Sequence, residues 1–549
     1  MPKLACFILV LLCSSLTYAQ SAATGSISGR ITAKQQPLPG ITVTLEAPAM
    51  ETSGQPRKAF NTKTDSDGRY RFVGVPKGQH VVSPRAAAYV VPTGGIMMRA
   101  GKDVTVGESE QLEGIDFDLT KGGVITGKIT DHTGRPMIQQ RVALKLRGAN
   151  NQLRNYFTPN YSMSQTDDRG VFRLYGLPAG QYLVSVGEAR NDGSITVGRA
   201  GGYLPLTYYP GTLNEAEAKA VEVTEGNEVT DIDIKVGKSE RTYEARGRII
   251  DGTTGAPLIG VQFSYGTIMA GATPRIGSYG SSGERTNAQG EFLIQGVKPG
   301  KYAVFMQPEA NSDYYSEPTV FELLEGDAEG LEIKAFRGAS ISGVVVVEGT
   351  TDPAILRRVK DVRVSAFATT PGMQAPSFLR PAVNPDGTFQ LTGLRPGKNR
   401  LSATGQAPLQ LLRIEREGVE LPREVELTAG EQMTGVRVVM GYGTGVIRGQ
   451  LNVVGGTLPP EARFVVFATK QGSNTIRGPN GDIQVDARGK FLVENLLPGE
   501  YDVRLIPAGT PGAPPMRQVR IEPQRVMVGA GEATVTFTLN LSEKKEGQQ

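Results

Sequence analysis

One pattern recurs five times along the 549-residue chain, and its constant spacing limits the fold more than any other feature. It appears as Thr64-Asp65-Ser66-Asp67-Gly68-Arg69-Tyr70, Thr166-Asp167-Asp168-Arg169-Gly170-Val171-Phe172 and Thr286-Asn287-Ala288-Gln289-Gly290-Glu291-Phe292. Val383-Asn384-Pro385-Asp386-Gly387-Thr388-Phe389 and Val485-Asp486-Ala487-Arg488-Gly489-Lys490-Phe491 complete the set. Ten residues beyond each glycine stands another, Gly78, Gly180, Gly300, Gly397 and Gly499, with Pro one or two places before it. Asp or Asn three residues ahead of Gly suits the ends of a type I turn: the short side chain bonds the turn backbone, and Gly accepts the exit angle.

A strand follows each turn. Tyr70 and Phe72, Phe172 and Leu174, Phe292 and Ile294, Phe389 and Leu391, and Phe491 and Val493 are spaced by two, which puts each pair on one sheet face. The Pro and Gly then reverse the chain into a second strand, where Tyr182 and Val184, Tyr302 and Val304, and Tyr501 and Val503 alternate inward. His80 with Val82, and Asn399 with Leu401, take the same places in the first and fourth copies. The three tyrosines read as corner residues whose hydroxyls bond nearby backbone.

Each copy also has an opening strand centred on Gly29, Gly127, Gly247, Gly343 or Gly449. Each closes on an alternating segment such as Ile115–Leu119, Ile232–Val236 or Val535–Leu539, as half-buried antiparallel strands do. The best helical candidate is the short Asn214–Ala220 segment. Gly (69) and Pro (35) make up roughly a fifth of the chain, more than average but below the level of aperiodic disorder. The expectation is an all-β tandem array of five antiparallel β-sandwich modules at 24–120, 121–238, 239–336, 337–441 and 442–541, with a frayed tail at 542–549. Only four or five residues join one closing strand to the next opening strand, as from Leu119 to Val124 and from Met440 to Val446. Swivelling is thereby limited, and five globules in line would make a bent rod of order 150 Å.

Lys3, the apolar run Leu4–Leu12 and the small residues before Ala19 read as a secretory signal over residues 1–19, too short in its apolar part to span a membrane. Both cysteines, Cys6 and Cys13, fall inside it, so the exported modules would be held by core burial alone. The expected location is periplasm, outer-membrane surface or medium, with no integral span after signal removal.

The run Gly25-Ser26-Ile27-Ser28-Gly29-Arg30-Ile31, the following Pro39-Gly40-Ile41-Thr42-Val43, and the Asp-x-x-Gly-x-aromatic and Pro-x-Gly-x-Tyr motifs resemble carboxypeptidase regulatory-like domains. The resemblance implies a prealbumin-like or transthyretin-like sandwich of about seven strands, grouped with carbohydrate-binding-like folds. Thr207-Tyr208-Tyr209-Pro210-Gly211-Thr212 in the second copy looks like the tandem form found in secreted bacterial proteins. The fourth and fifth copies lack the Asp-x-x-Gly-x-Pro turn seen at Asp131, Gly134 and Pro136, so the edge after their opening strands is expected to be rearranged.

The family name carries no activity here. The chain has two histidines, His80 in a strand and His132 in a turn; a two-His-one-carboxylate zinc site would need them to meet, and a Ser-His-Asp triad would need one as base beside a Gly-x-Ser-x-Gly elbow that no predicted strand and helix flank. We expect no catalytic residues, no cofactor and no metal site; Asp65 and Asp67 hold only the start of a calcium loop, and other copies replace the acids while keeping the glycine. The +4 net charge offers no concentrated field for nucleic acid. Tyr203, Tyr208 and Tyr209, with Tyr314 and Tyr315, are the dense aromatic clusters outside the repeat framework and the candidate ligand contacts, for sugar rings above all. The alternative is that they cover a sandwich edge or a junction. Loops at Asn191–Gly202, Gly266–Gly283 and Pro371–Pro381 are further candidate surfaces. The expected role is a non-catalytic binding or scaffolding rod at the cell envelope, with a polysaccharide or envelope protein as partner. The competing classes are a carboxylate-based glycosidase or other hydrolase, and a soluble relative of the N-terminal module of outer-membrane receptors.

Overall fold

A computed structural model of the chain describes residues 24–46, 59–91, 93–94, 99–148, 151–156, 164–187, 203–269, 275–307, 312–368, 382–406, 408–458, 462–472, 483–508 and 521–541. Residues 1–19, the tail 542–549 and the loops 191–202 and 371–381 lie outside these. The described chain is nearly all strand. Its buried apolar side chains form five clusters, one for each copy of the motif, with members such as Ile27 and Phe72, Ile125 and Phe172, or Ile447 and Phe491.

In every copy the opening strand pairs antiparallel with the strand after the turn, and a register shift near its start marks a β-bulge. The closing strands are not antiparallel as their alternation suggests. Each lies parallel to its opening strand, as in Ile249↔Ile333 and Leu451↔Phe537. Alternation reports which face is buried and is blind to strand direction, so only the connection around the sandwich decides it. The second sheet is antiparallel, for example Thr42–Glu46 with Gly78–Arg85 and Gln262–Met269 with Gly300–Met306.

The glycine at the centre of each opening strand is explained by two close approaches. It faces the first aromatic after the turn, Gly29↔Tyr70, Gly127↔Phe172, Gly247↔Phe292, Gly343↔Phe389 and Gly449↔Phe491. A Cβ on Gly127 would lie 2.1 Å from the Ile232 carbonyl oxygen and 2.9 Å from the Phe172 ring; on Gly449 it would enter the Phe491 ring. The far end of the ring therefore sits over the glycine in four of the copies, and all five rings are buried.

The turn works as its residues require. The Asp65 carboxylate accepts the amides of Asp67 (2.9 Å) and Arg69 (2.8 Å), and Asp167, Asn287 and Asp486 repeat the same two bonds in their own copies. The preceding threonine has a role that the pattern alone does not reveal. Thr166 Oγ1 donates to Met137 O (2.6 Å) and accepts from the Gln140 amide (2.9 Å), pinning the edge loop, and Thr64 and Thr286 do likewise. The fourth and fifth copies have Val383 and Val485 there, both buried. In the fourth copy this edge is rebuilt as a short helix, Pro353–Leu356, and a 3₁₀ turn, Arg357–Asp361. The Asn214–Ala220 segment keeps one 3₁₀ turn, Glu215–Glu217, capped by Asn214.

At the Pro-Gly corner the chain crosses from one sheet to the other, and one side chain ties each corner. Tyr182 donates to Pro178 O (2.8 Å), Tyr302 to Lys298 O (2.9 Å) and Tyr501 to Leu497 O (3.0 Å). Asn399 Nδ2 reaches Arg395 O at 2.8 Å, and His80 Nε2 reaches Pro76 O at 2.8 Å. Five residues thus make the same four-back bond with three different side chains. Burial pushes the Tyr501 hydroxyl up to about 12, so it stays a donor at working pH.

Neighbouring copies meet over backbone. Gly176, six residues past its turn glycine and at φ +72°, would place a Cβ 2.5 Å from Ala87 O of the preceding copy. Gly393 does the same against Ser312 O (2.6 Å) and Tyr314 O (2.7 Å), and Thr392 donates to Ser312 O. These fixed joints bend the array further than an extended rod of order 150 Å allows: the first and fifth copies touch, with Gln79 Nε2 donating to Gln484 O at 2.9 Å. Short, stiff connectors fix each turn of the chain, and the turns together bring the ends into contact.

Two predictions follow from this packing. Replacing Gly127 by Ala is expected to destabilise its sandwich by about 2–3 kcal/mol, because backbone must move. Gly134→Ala, at φ +89° with open space around it, is expected to lose only about 1 kcal/mol, read by thermal melting. Burial holds His80 below its ordinary pKa of 6.5, outweighing the Pro76 carbonyl that favours the charged ring. Above that value the ring is neutral folded or unfolded; below it the unfolded chain takes the proton first, so stability falls with acid. Hydrogen exchange over residues 69–85, corrected for intrinsic rates, is expected to quicken from pH 7.5 to 5.5, and less so in His80→Tyr.

Candidate binding surfaces

The five tyrosines do not gather into one site. Tyr203 is buried (5% exposed) where the second copy meets the third. Its amide and carbonyl pair with Glu240 at 3.0 and 2.8 Å, its hydroxyl bonds the Glu240 carboxylate, and Lys298 stands 5.5 Å over its ring. Tyr208 is buried at the sheet edge beside Ser185. Its hydroxyl donates to Glu215 (2.8 Å), which Lys145 also pairs, and the Lys145 ammonium lies 5.7 Å from the ring. The pair with Lys145 holds Glu215 below the usual carboxylate range, while burial pushes the Tyr208 hydroxyl up. Tyr209 packs partly covered on the core of its own copy.

Tyr314 and Tyr315 sit on a short strand, Tyr314–Ser316, at the joint with the fourth copy. Tyr314 donates to Asp251 (3.0 Å) with Arg337 5.7 Å from its ring, and Tyr315 leans on Phe336 with centroids 6.2 Å apart. The geometry is that of edge and joint packing for Tyr203 and Tyr208, with partly covered ring faces left on Tyr209, Tyr314 and Tyr315. The Gly266–Gly283 stretch is not a loop: Gln262–Met269 and Arg275–Arg285 pair as a long hairpin, because Gly and Ser interrupt side-chain patterning without interrupting backbone pairing.

A hollow of about 870 Å³ in the third copy is lined by Arg246, Arg248, Arg285, Glu291, Glu329 and Glu332 among others. Within it Arg248 meets Glu332 at 2.7 and 3.1 Å and Asn287 holds Glu291 at 2.9 Å, while Arg246 pairs with Glu244 outside the lining and Arg285 donates to Gly260 O. The fourth copy carries a similar ladder, in which Arg413 bridges Glu348 and the buried Glu415, and Arg437 also reaches Glu415 at 2.7 Å. Among the described residues no group of three or more His, Cys, Asp or Glu is placed to hold a metal ion. No described helix is long and apolar enough to cross a membrane.

The polar contact between the first and fifth copies was not legible in the motif. Asp486 Oδ2 accepts the Thr105 amide (3.1 Å); Arg488 donates to Thr105 O (2.6 Å), Glu110 (2.9 Å) and Asp486 (3.1 Å). Lys490 lies 3.5 Å from Glu110. Burial works against ionisation of Glu110, but the Gly107 amide, Arg488 and Lys490 together hold its pKa below the usual value.

These features define a multidomain all-β protein built of tandem sandwiches. Residues 26–119 match the carboxypeptidase regulatory-like domain family. No curated protein matches the chain. Among solved structures it is similar to a streptococcal ancillary pilin, at 13% identity over 57% of this chain and 99% of the pilin, with a TM-score of 0.24. It is also similar to the Bacillus anthracis TIE protein, at 13% identity over 73% of this chain and 68% of that one, TM-score 0.16. A minor pilin of Streptococcus agalactiae matches at 15% identity over 40% of this chain and 97% of its own, TM-score 0.18. At such scores the likeness does not reach to how the domains are arranged.

Loss of the Tyr203 ring should loosen the joint beside it. Tyr203→Ala is expected to speed tryptic cleavage at the exposed Lys238 and Arg241 several-fold while leaving cleavage elsewhere unchanged, followed by mass spectrometry of the fragments.

Proposed function

We propose that the protein is a non-catalytic binding or scaffolding array at the cell envelope, exported by its N-terminal segment and built of five prealbumin-like modules at 24–120, 121–238, 239–336, 337–441 and 442–541. The observation that carries this reading is how the recurring polar side chains are used. Turn carboxylates accept turn amides, corner side chains bond corner carbonyls, and Arg248 with Glu332, and Arg413 and Arg437 with Glu415, are tied up in ion pairs. A catalytic pair instead needs groups whose environments drive their pKa values apart within reach of one substrate.

Carbohydrate is the ligand class that the family resemblance implies, and Tyr209, Tyr314 and Tyr315 offer the ring faces for it. An envelope protein is the other partner class. A glycan array together with a pull-down from native envelope tests the reading. Retention of a glycan or one protein is expected, with glycan retention weakened about tenfold in Tyr314→Ala/Tyr315→Ala. Turnover of a glycoside or ester, abolished by replacing a single carboxylate, would overturn it.

A further inference from the structure

We propose that the Lys102–Val106 strand of the first copy is the docking surface for the Asp486–Lys490 turn of the fifth, a clasp that closes the array in solution and opens with salt. This goes beyond the binding role and does not depend on what the array binds. The strand is the edge of its sheet, paired on one side only with Gly78–Arg85. An edge of this kind presents unpaired amides and carbonyls, which attract another strand unless something covers them. Here side chains supply the cover: Asp486 takes the Thr105 N–H and Arg488 takes its C=O, as a neighbouring strand would.

Charge makes the fit specific to the fifth copy. Glu110 faces Arg488 and Lys490, and Gln79 adds a bond to the Gln484 carbonyl. The second copy has Arg169 at the place of Arg488, but there it stays on its own Asp167 with 76% of its side chain exposed. The consecutive joints add backbone pressed against glycine, at Gly176 and Gly393, which the contact of first and fifth copies lacks.

The same features make the clasp reversible. Arg488 (32%), Glu110 (29%) and Lys490 (42%) keep part of each side chain in water, where salt screens the attraction. Closure also buries Thr105 Oγ1 and Gln484 Oε1 without partners, which offsets part of what the ion pairs contribute.

Small-angle scattering of the whole chain, with light scattering for mass, tests the clasp. Five globules of about 34 Å in a closed ring span about 90 Å, against about 150 Å when opened out. The wild type in 50 mM salt is expected near the smaller value as a monomer, and to lengthen in 1 M salt. Arg488→Glu is expected to be long in both, and Glu110→Arg with Arg488→Glu to return towards the compact form. Glu110→Gln, which keeps an acceptor for the Gly107 amide, is expected to open at lower salt than wild type; unchanged circular dichroism excludes misfolding. A long wild-type particle at low salt, curves that coincide for wild type and variants, or a compact particle of doubled mass would each overturn the proposal.

Discussion

The contact of an aromatic ring with a glycine across two paired strands organises every copy. Because Gly127 has no side chain, Phe172 can lie over the opening strand while the Ile232 carbonyl approaches from the closing strand on the other side. The glycine gives up β-propensity and backbone entropy, a cost of about 1 kcal/mol, and burying the ring offsets it by about 2 kcal/mol or more. The first and last strands that meet at this glycine run parallel, as the connection around the sandwich dictates. Turn, corner and bulge are then the means of bringing the chain past that contact at the right height.

The bulge has a second use. Gly74, Gly176, Gly296, Gly393 and Asn495 stand at one place in their copies, all with φ between 59° and 72°. At Gly176 and Gly393 the resulting notch receives the backbone of the copy before. Asn495 shows that the conformation matters more than the absent side chain, since its carbonyl accepts from Gln410 and crowds Gly443. Gly74 has no described atom within 4 Å of where a Cβ would stand, consistent with its place at the start of the series. A module whose inner architecture also shapes its joint is held against its neighbour, and the first and fifth copies meet.

Much of the candidate surface was visible in advance as residue types and little of it as arrangement. The tyrosine clusters stand out by density, and their use as edge and joint packing is one of the two readings that density permits. What selects it is Glu240 and Lys298, which come from the next copy, and Glu215, from the 3₁₀ turn seven residues beyond Tyr208. The buried threonine before three of the five turns was present in the motif itself. Its role appears only when the edge loop folds back to within hydrogen-bond reach.

The amino-acid sequence by itself determined the repeat, its turns, its inward faces and the corner bond that Tyr182, Tyr302 and Tyr501 make, because these depend on residues within about a dozen positions of one another. It also carried the warning that the fourth and fifth copies rebuild one edge. The direction of the closing strands, the pairing of charges across sheets and the meeting of Asp486 and Arg488 with Thr105 and Glu110 were decided by tertiary structure alone. Those contacts join residues from 22 positions apart, as Arg437 and Glu415, to 383 apart, as Arg488 and Thr105, and their geometry is set by the path of the chain between them, which no local pattern records.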